Sequence, residues 1–131
     1  MRMHEPWDEK ILNEYSPLVL AYIGDAVYEL LVRTQIVSVG KRRMKDIHHD
    51  TVEIVKAEHQ ARIIRSVFEE LSEEEQDIVR RGRNTRSNPP KNADRQDYRM
   101  STGFEALLGY LYLKGDEERL LYLFNRTLEE E

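Results

Sequence analysis

At 131 residues, 40% hydrophobic and 34% charged, the chain has the size of one domain built around one core. It has no cysteine, which excludes a disulfide framework, a thiol nucleophile and a thiolate metal site. The net charge of −5 argues against a nucleic-acid partner, but its distribution reverses that impression. Arg80 to Arg99 holds seven basic residues against Asp94 and Asp97, so this segment carries +5 and the rest of the chain −10. A localised positive field of this kind suits phosphate binding. The N-terminal MRMHEPWDEK lacks a signal-peptide core and no apolar run is long enough for a membrane span, so a cytoplasmic protein with no membrane partner is expected.

In chain order, residues 1–15 are polar and predict one short helix, Asp8 to Asn13, packed by Trp7, Ile11 and Leu12. Ser16-Pro17 then opens a helix, with Ser16 as N-cap and Pro17 at the first helical position. Twelve of the fifteen residues from Leu18 to Val32 are apolar, which predicts a central helix contacted on nearly all sides. Asp25 intrudes on that apolar surface beside Gly24. A buried, unpaired carboxylate costs several kcal/mol, so a cation is expected against it, either an Arg or Lys from a neighbouring helix or a divalent metal. The helix ends near Val37 to Gly40, and Lys41-Arg42-Arg43 reads as a solvated connector. Met44 to His49 predicts one helical turn, and Asp50 to Leu71 a long helix with Val52, Val55, His59, Ile63, Val67 and Leu71 at helical spacing.

Ser72-Glu73-Glu74-Glu75 is a capping box, opening a helix to about Arg81 with Gly82 as its stop signal. The basic loop follows over about residues 82–95, and its Gly82–Asn92 stretch, GRNTRSNPPKN, has no aliphatic residue to bury. A helix from Gln96 to Lys114 places Phe104, Leu107, Leu108 and Leu111 on one face. Gly115 caps it, and Asp116 starts a last helix with Leu120, Leu121, Leu123, Phe124 and Leu128 inward. No stretch alternates with period two, so the fold class is all-α, a helical bundle of one domain over 1–131 with its core at about 16–128.

The penultimate helix repeats the oddity of the first: Glu105 intrudes among apolar residues, with Gly109 one turn later. Two helices allowed close contact by glycine could bring Asp25 and Glu105 together, and two such carboxylates need a cation to remain ionised. Oxygen-only ligation by few protein groups suits Mg²⁺, and such a site beside a basic loop suggests phosphodiester hydrolysis. Glu29 is either a third ligand or an ordinary exposed helix residue. His48-His49-Asp50 offers the start of a metal phosphohydrolase site, but a solvated helix start explains it more simply. His59 reads as a satisfied core or interface histidine.

LAYIGDAVYELL resembles the signature helix of the ribonuclease III catalytic domain, and FEALLGYLYL resembles that family's second acidic motif. With Arg81-Gly82-Arg83-Asn84, Pro90-Lys91-Asn92 and Tyr98-Arg99 between them, the chain is most similar to the short mini-ribonuclease III branch, which lacks a double-stranded RNA-binding domain. The resemblance covers about residues 16–128. It implies an all-helical, homodimeric, Mg²⁺-dependent endoribonuclease that cuts both strands of duplex RNA, leaving 5′-phosphate and 3′-hydroxyl ends. Asp25 and Glu105 fall on the family's catalytic, metal-ligating carboxylates, and Asp46 is set against an aspartate in the helix after the signature. The branch matures the ends of 23S (large-subunit) ribosomal RNA precursors, aided by a ribosomal protein. The alternative is a non-catalytic, RNA-binding assembly factor of the same family. Ala21, Thr102 and Met44 stand where full-length enzymes carry acids, which leaves fewer carboxylates for metal. Duplex RNA is read mainly by shape and phosphate contacts, and Arg81, Arg83, Arg86 and Lys91 are the residues expected to make them.

Overall fold

Ser16 is extended, its hydroxyl accepts the Val19 N–H at 3.3 Å, and Pro17 begins the longest helix, as their order in the sequence requires. A computed structural model of the chain describes residues 3–85 and 88–129. Among the described residues the elements are α1 (Glu9–Leu12), α2 (Pro17–Ser38), α3 (Met44–Val55), α4 (Ala57–Val67), a 3₁₀ turn (Phe68–Glu70), α5 (Glu73–Asn84), α6 (Arg95–Lys114) and α7 (Glu117–Leu128). They contain no strand, and the fold is all-α. Among them, no helix is long and apolar enough to cross a membrane.

The hub is α6 rather than α2. From Ser101 to Leu111 every residue of α6 except Glu105 is buried, and α2, α4 and α5 all pack against it. α2 buries only one side, through Leu20, Gly24, Tyr28, Val32 and Ile36. Leu18, Val19, Tyr22, Leu30 and Val37 of α2 are exposed. The expectation of a helix enclosed on nearly all sides is therefore corrected. Its apolar width serves one internal face and one outward face.

Close approach of α2 to α6 is built on two glycines. A Cβ at Gly24 would lie 1.7 Å from the Glu105 carbonyl oxygen, and one at Gly109 would lie 1.9 Å from the Leu20 carbonyl oxygen. Neither position accepts a side chain unless the helices separate. A similar contact corrects the reading of Gly82 as a stop signal. α5 continues to Asn84, and a Cβ at Gly82 would stand 2.7 Å from Gly103 Cα. The loop accordingly starts at Thr85 rather than at Gly82.

The long helix expected from Asp50 is instead two helices joined at Lys56, whose ψ of 149° breaks the path. Breaking a helix exposes carbonyls that need donors. Tyr28 Oη donates to Ile54 O at 2.9 Å and Gln60 Nε2 to Val55 O at 2.7 Å, so a side chain from α2 and one from α4 satisfy the end of α3. No glycine or proline marks this break, and the apolar spacing runs through it. His59 sits just beyond, its Nε2 paired with Thr127 O at 2.7 Å and its Nδ1 with Arg62, which ties α4 to α7.

The capping box at Ser72 forms with both of its bonds, at 3.1 and 3.0 Å, and Gly115 caps α6 in the left-handed region at φ 85°. The weak ends of the chain depart from their periodicity. α1 buries only Leu12, leaving Trp7 and Ile11 exposed, and α7 turns Leu121 outward while burying Leu120, Leu123 and Phe124.

Candidate active site

The glycine crossing that joins α2 to α6 also decides where two carboxylates meet. Asp25 directly follows Gly24, and Glu105 supplies the carbonyl under which Gly24 sits. Asp25 faces Glu105 closely enough for both its charge and a hydrogen bond to act on the Glu105 carboxyl. Their environments differ from the expectation, because Asp25 is exposed at the rim and Glu105 is the acid pressed into the packed interior. Burial, then the charge and hydrogen bond of Asp25, with a smaller push from the Glu29 charge, raise the Glu105 carboxyl to about 8. A hydrogen bond from Gln60 acts in the opposite direction.

No side chain among the described residues supplies the cation that such a pair calls for. Among the described residues no Arg or Lys forms an ion pair with Asp25 or Glu105. Glu29 is close enough to influence Glu105, yet it is engaged by Arg33 at 2.9 Å one turn along α2. No group of three His, Asp or Glu side chains among the described residues is arranged to hold a metal, and Asp25 and Glu105 stand as a pair. Ala21 and Thr102 are buried packing residues, and the Thr102 hydroxyl donates to Tyr98 O at 3.1 Å. Met44 is 72% exposed at the start of α3, and Asp46 pairs with Arg43 at 3.4 Å. His48 and His49 lie exposed on α3, with Asp50 held by Arg42 at 2.6 Å, so this trio forms a solvated helix face.

One polar residue of the site escaped the sequence reading. Gln60 is 2% exposed, and its Nε2 lies 3.4 Å from Glu105 Oε2 in addition to its bond to Val55 O. The available signal was of the same kind that revealed Asp25 and Glu105. Gln60 heads a buried stripe through Ile64, Val67 and Leu71, where a polar residue is out of character.

The basic residues collect at the end of α5 and in the loop that leads to α6. Arg81 and Arg83 are half-buried in the last turns of α5, with Arg83 Nε donating to Asn84 Oδ1 at 3.2 Å. Lys91 is exposed in the loop, and Arg86 lies outside the described residues. Among the described residues, Arg81, Arg83 and Lys91 have no acidic partner. The two acids of the segment are both engaged, Asp94 as the N-cap of α6 and Asp97 with Arg65 at 2.8 Å. Arg99 precedes Glu105 on α6 by a rise of about 9 Å, at about 1.5 Å per residue. The positive segment therefore leads directly into the helix that carries Glu105.

The family model described as "Ribonuclease III domain" matches residues 18–116. A "Mini-ribonuclease 3" from Thermoanaerobacter sp. is 58% identical over 87% of this chain and 81% of its own length. One from Clostridium tetani is 50% identical over 88% of this chain and 78% of its own length. A crystal structure of a Fusobacterium nucleatum protein superposes with a TM-score of 0.81 at 29% identity, covering 88% of this chain and 93% of that one. Both acids and both crossing glycines lie inside the matched region. The chain belongs to the ribonuclease III family, in its mini-ribonuclease III branch, and is an endoribonuclease of the ribonuclease III type, a class that acts on double-stranded RNA.

Proposed function

We propose that this endoribonuclease is Mg²⁺-dependent, works as a homodimer in the cytoplasm, and matures the ends of 23S (large-subunit) ribosomal RNA precursors with help from a ribosomal protein. The observation that carries the catalytic part is the Asp25–Glu105 pair, two facing carboxylates to which no Arg or Lys is supplied among the described residues. The donor set fits a small hard cation, since it is oxygen-only, contains few protein ligands and opens to solvent at Asp25. When bound, Mg²⁺ supplies the Lewis acid for phosphodiester hydrolysis to 5′-phosphate and 3′-hydroxyl ends. Asp25, exposed and next to Gly24, presents its carboxylate at the rim. Glu105 offers the inner carboxylate, which ionises readily only when positive charge faces it. Arg81, Arg83, Arg86 and Lys91 hold the duplex through its phosphates and leave its sequence unread.

The exposed α2 residues support the homodimer. Leu18, Val19, Tyr22 and Leu30 line an apolar outer face, continuous with a groove of about 450 Å³ between α2 and α7. A two-fold pair would place one carboxylate site per strand of the duplex. The ribosomal RNA substrate and the assisting protein rest on the similarity to the mini-ribonuclease III branch.

The test is incubation of a long RNA duplex, and of its separated strands, with the protein in Mg²⁺ and in chelator. Metal-dependent cutting of the duplex alone, with 5′-phosphate ends, is the expected outcome. Binding of the duplex without cutting would favour the assembly-factor reading.

A further inference from the structure

Gln60 is a residue whose placement the packing of the core does not account for. It is 2% exposed, its carbonyl Oε1 has no hydrogen-bond partner, and it lies in a stripe otherwise built from aliphatic side chains. A buried acceptor left without a donor costs about 1–3 kcal/mol, which offsets what the bond to the Val55 carbonyl contributes to the fold. What the amide supplies is its two N–H groups. One donates to Val55 O at 2.7 Å, the other to Glu105 Oε2 at 3.4 Å. The Val55 carbonyl can only accept, and turning the amide over would set Oε1 against it at 2.7 Å, so the amide's orientation is fixed. The Val55 carbonyl is free to anchor Gln60 only because the chain breaks at Lys56.

We infer that Gln60 is a positioning residue for the catalytic pair, its amide clamped on the broken end of α3 so that it holds Glu105 Oε2 and leaves the other Glu105 oxygen directed to a shared cation. The inference rests on the reading of Asp25 and Glu105 as a cation-holding pair. It also explains the discontinuity at Lys56, which exposes the carbonyl that orients this amide. Partners that orient a metal ligand without touching the metal commonly change affinity by about 10–100-fold when removed.

The experiment is titration of the protein with Mn²⁺, read from the paramagnetic resonance signal of the free ion, for wild type, Asp25→Asn and Gln60→Met. Met matches the length and flexibility of Gln and removes both donors. Wild type should bind Mn²⁺, Asp25→Asn should lose that binding, and Gln60→Met should bind at least tenfold more weakly while retaining its helical content. Wild-type affinity in Gln60→Met would overturn the positioning role and leave the cation reading intact. Equal binding by wild type and Asp25→Asn would overturn the cation reading itself. Should Gln60→Met not fold, the wild-type side-chain amide of Gln60 can be followed by NMR as Mg²⁺ is added, assigned through Val55 and Glu105. A shift saturating with the site supports the role, and an unmoved signal contradicts it.

Discussion

Glu75 and Glu105 are both acids pressed among packed helices, and the molecule treats them in opposite ways. Glu75 is 7% exposed, yet Arg119 of α7 reaches it with two bonds at 2.8 and 2.9 Å, and the Ser72 N–H adds a third at 3.0 Å. Burial pushes its carboxyl up, but Arg119 and Ser72 outweigh that and hold it below the usual range. Glu70 is handled likewise, through Tyr122 at 2.7 Å and Arg126 at 2.9 Å. Glu105 instead faces Asp25, has no Arg or Lys partner among the described residues, and is raised to about 8. Acids that tie α7 to the bundle carry their own counter-charge. The pair at the α2–α6 crossing does not, which is what a site for an external cation requires.

Several changes would break or sharpen this contrast. The largest effect belongs to the crossing itself. In Gly24→Ala the new methyl would overlap the Glu105 carbonyl oxygen, so loss of the cooperative melt is expected, and a protein melting like wild type would refute the packing described. Next is Glu75→Gln, which strips the charge from a partly buried ion pair. A loss of about 2 kcal/mol in denaturant unfolding is expected, within the range for hydrogen bonds to charged groups. Because folding lowers the Glu75 pKa, its contribution is present above about 4.5 and fades as pH falls, so the variant should approach wild type in acid.

Double replacement of Arg83 and Arg86 by Ala should weaken duplex RNA binding about tenfold at moderate salt and flatten the salt slope by about 2, near one unit per phosphate contact. An unchanged slope would remove this segment from the RNA surface. The remaining effect has the opposite sign to the Glu75 change. Folding raises the Glu105 pKa, so between its ordinary value of 4.5 and about 8 the folded state binds more protons and stability declines as pH rises. Glu105→Gln should therefore melt above wild type at pH 8 in chelator, with the gap closing toward pH 5. A variant that melts lower than wild type at pH 8 would contradict the strained pair.

The sequence carried the parts that depend on local chemistry. Ser16-Pro17, the Ser72–Glu75 box and Gly115 each act on backbone groups within one turn, so their identity alone specifies their geometry. Asp25 and Glu105 stood out because a charge on an apolar helix needs a reason, and the glycine beside each announced a close crossing. What was hidden depends on tertiary context. The break at Lys56 has no glycine or proline to signal it, because Tyr28 and Gln60, from α2 and α4, satisfy the exposed carbonyls. Gln60 is uncharged and drew no attention within an otherwise regular stripe. Which helix forms the centre was also misjudged, since the apolar width of α2 reads the same whether a second face is buried or left outward. Gly82 likewise resembles a stop signal until Gly103 is known to lie against it.

The most direct measurement is single-turnover cleavage of a long RNA duplex in Mg²⁺ by Asp25→Asn and by Glu75→Gln, at equal concentrations of folded protein. Asp25→Asn keeps the size of the side chain and removes its charge, and it should fall at least about a thousandfold below wild type, in the range found when a group stabilising transition-state charge is lost. Glu75→Gln should cleave within a few-fold of wild type. Wild-type cleavage by Asp25→Asn would contradict the account and place the catalytic centre away from the α2–α6 crossing.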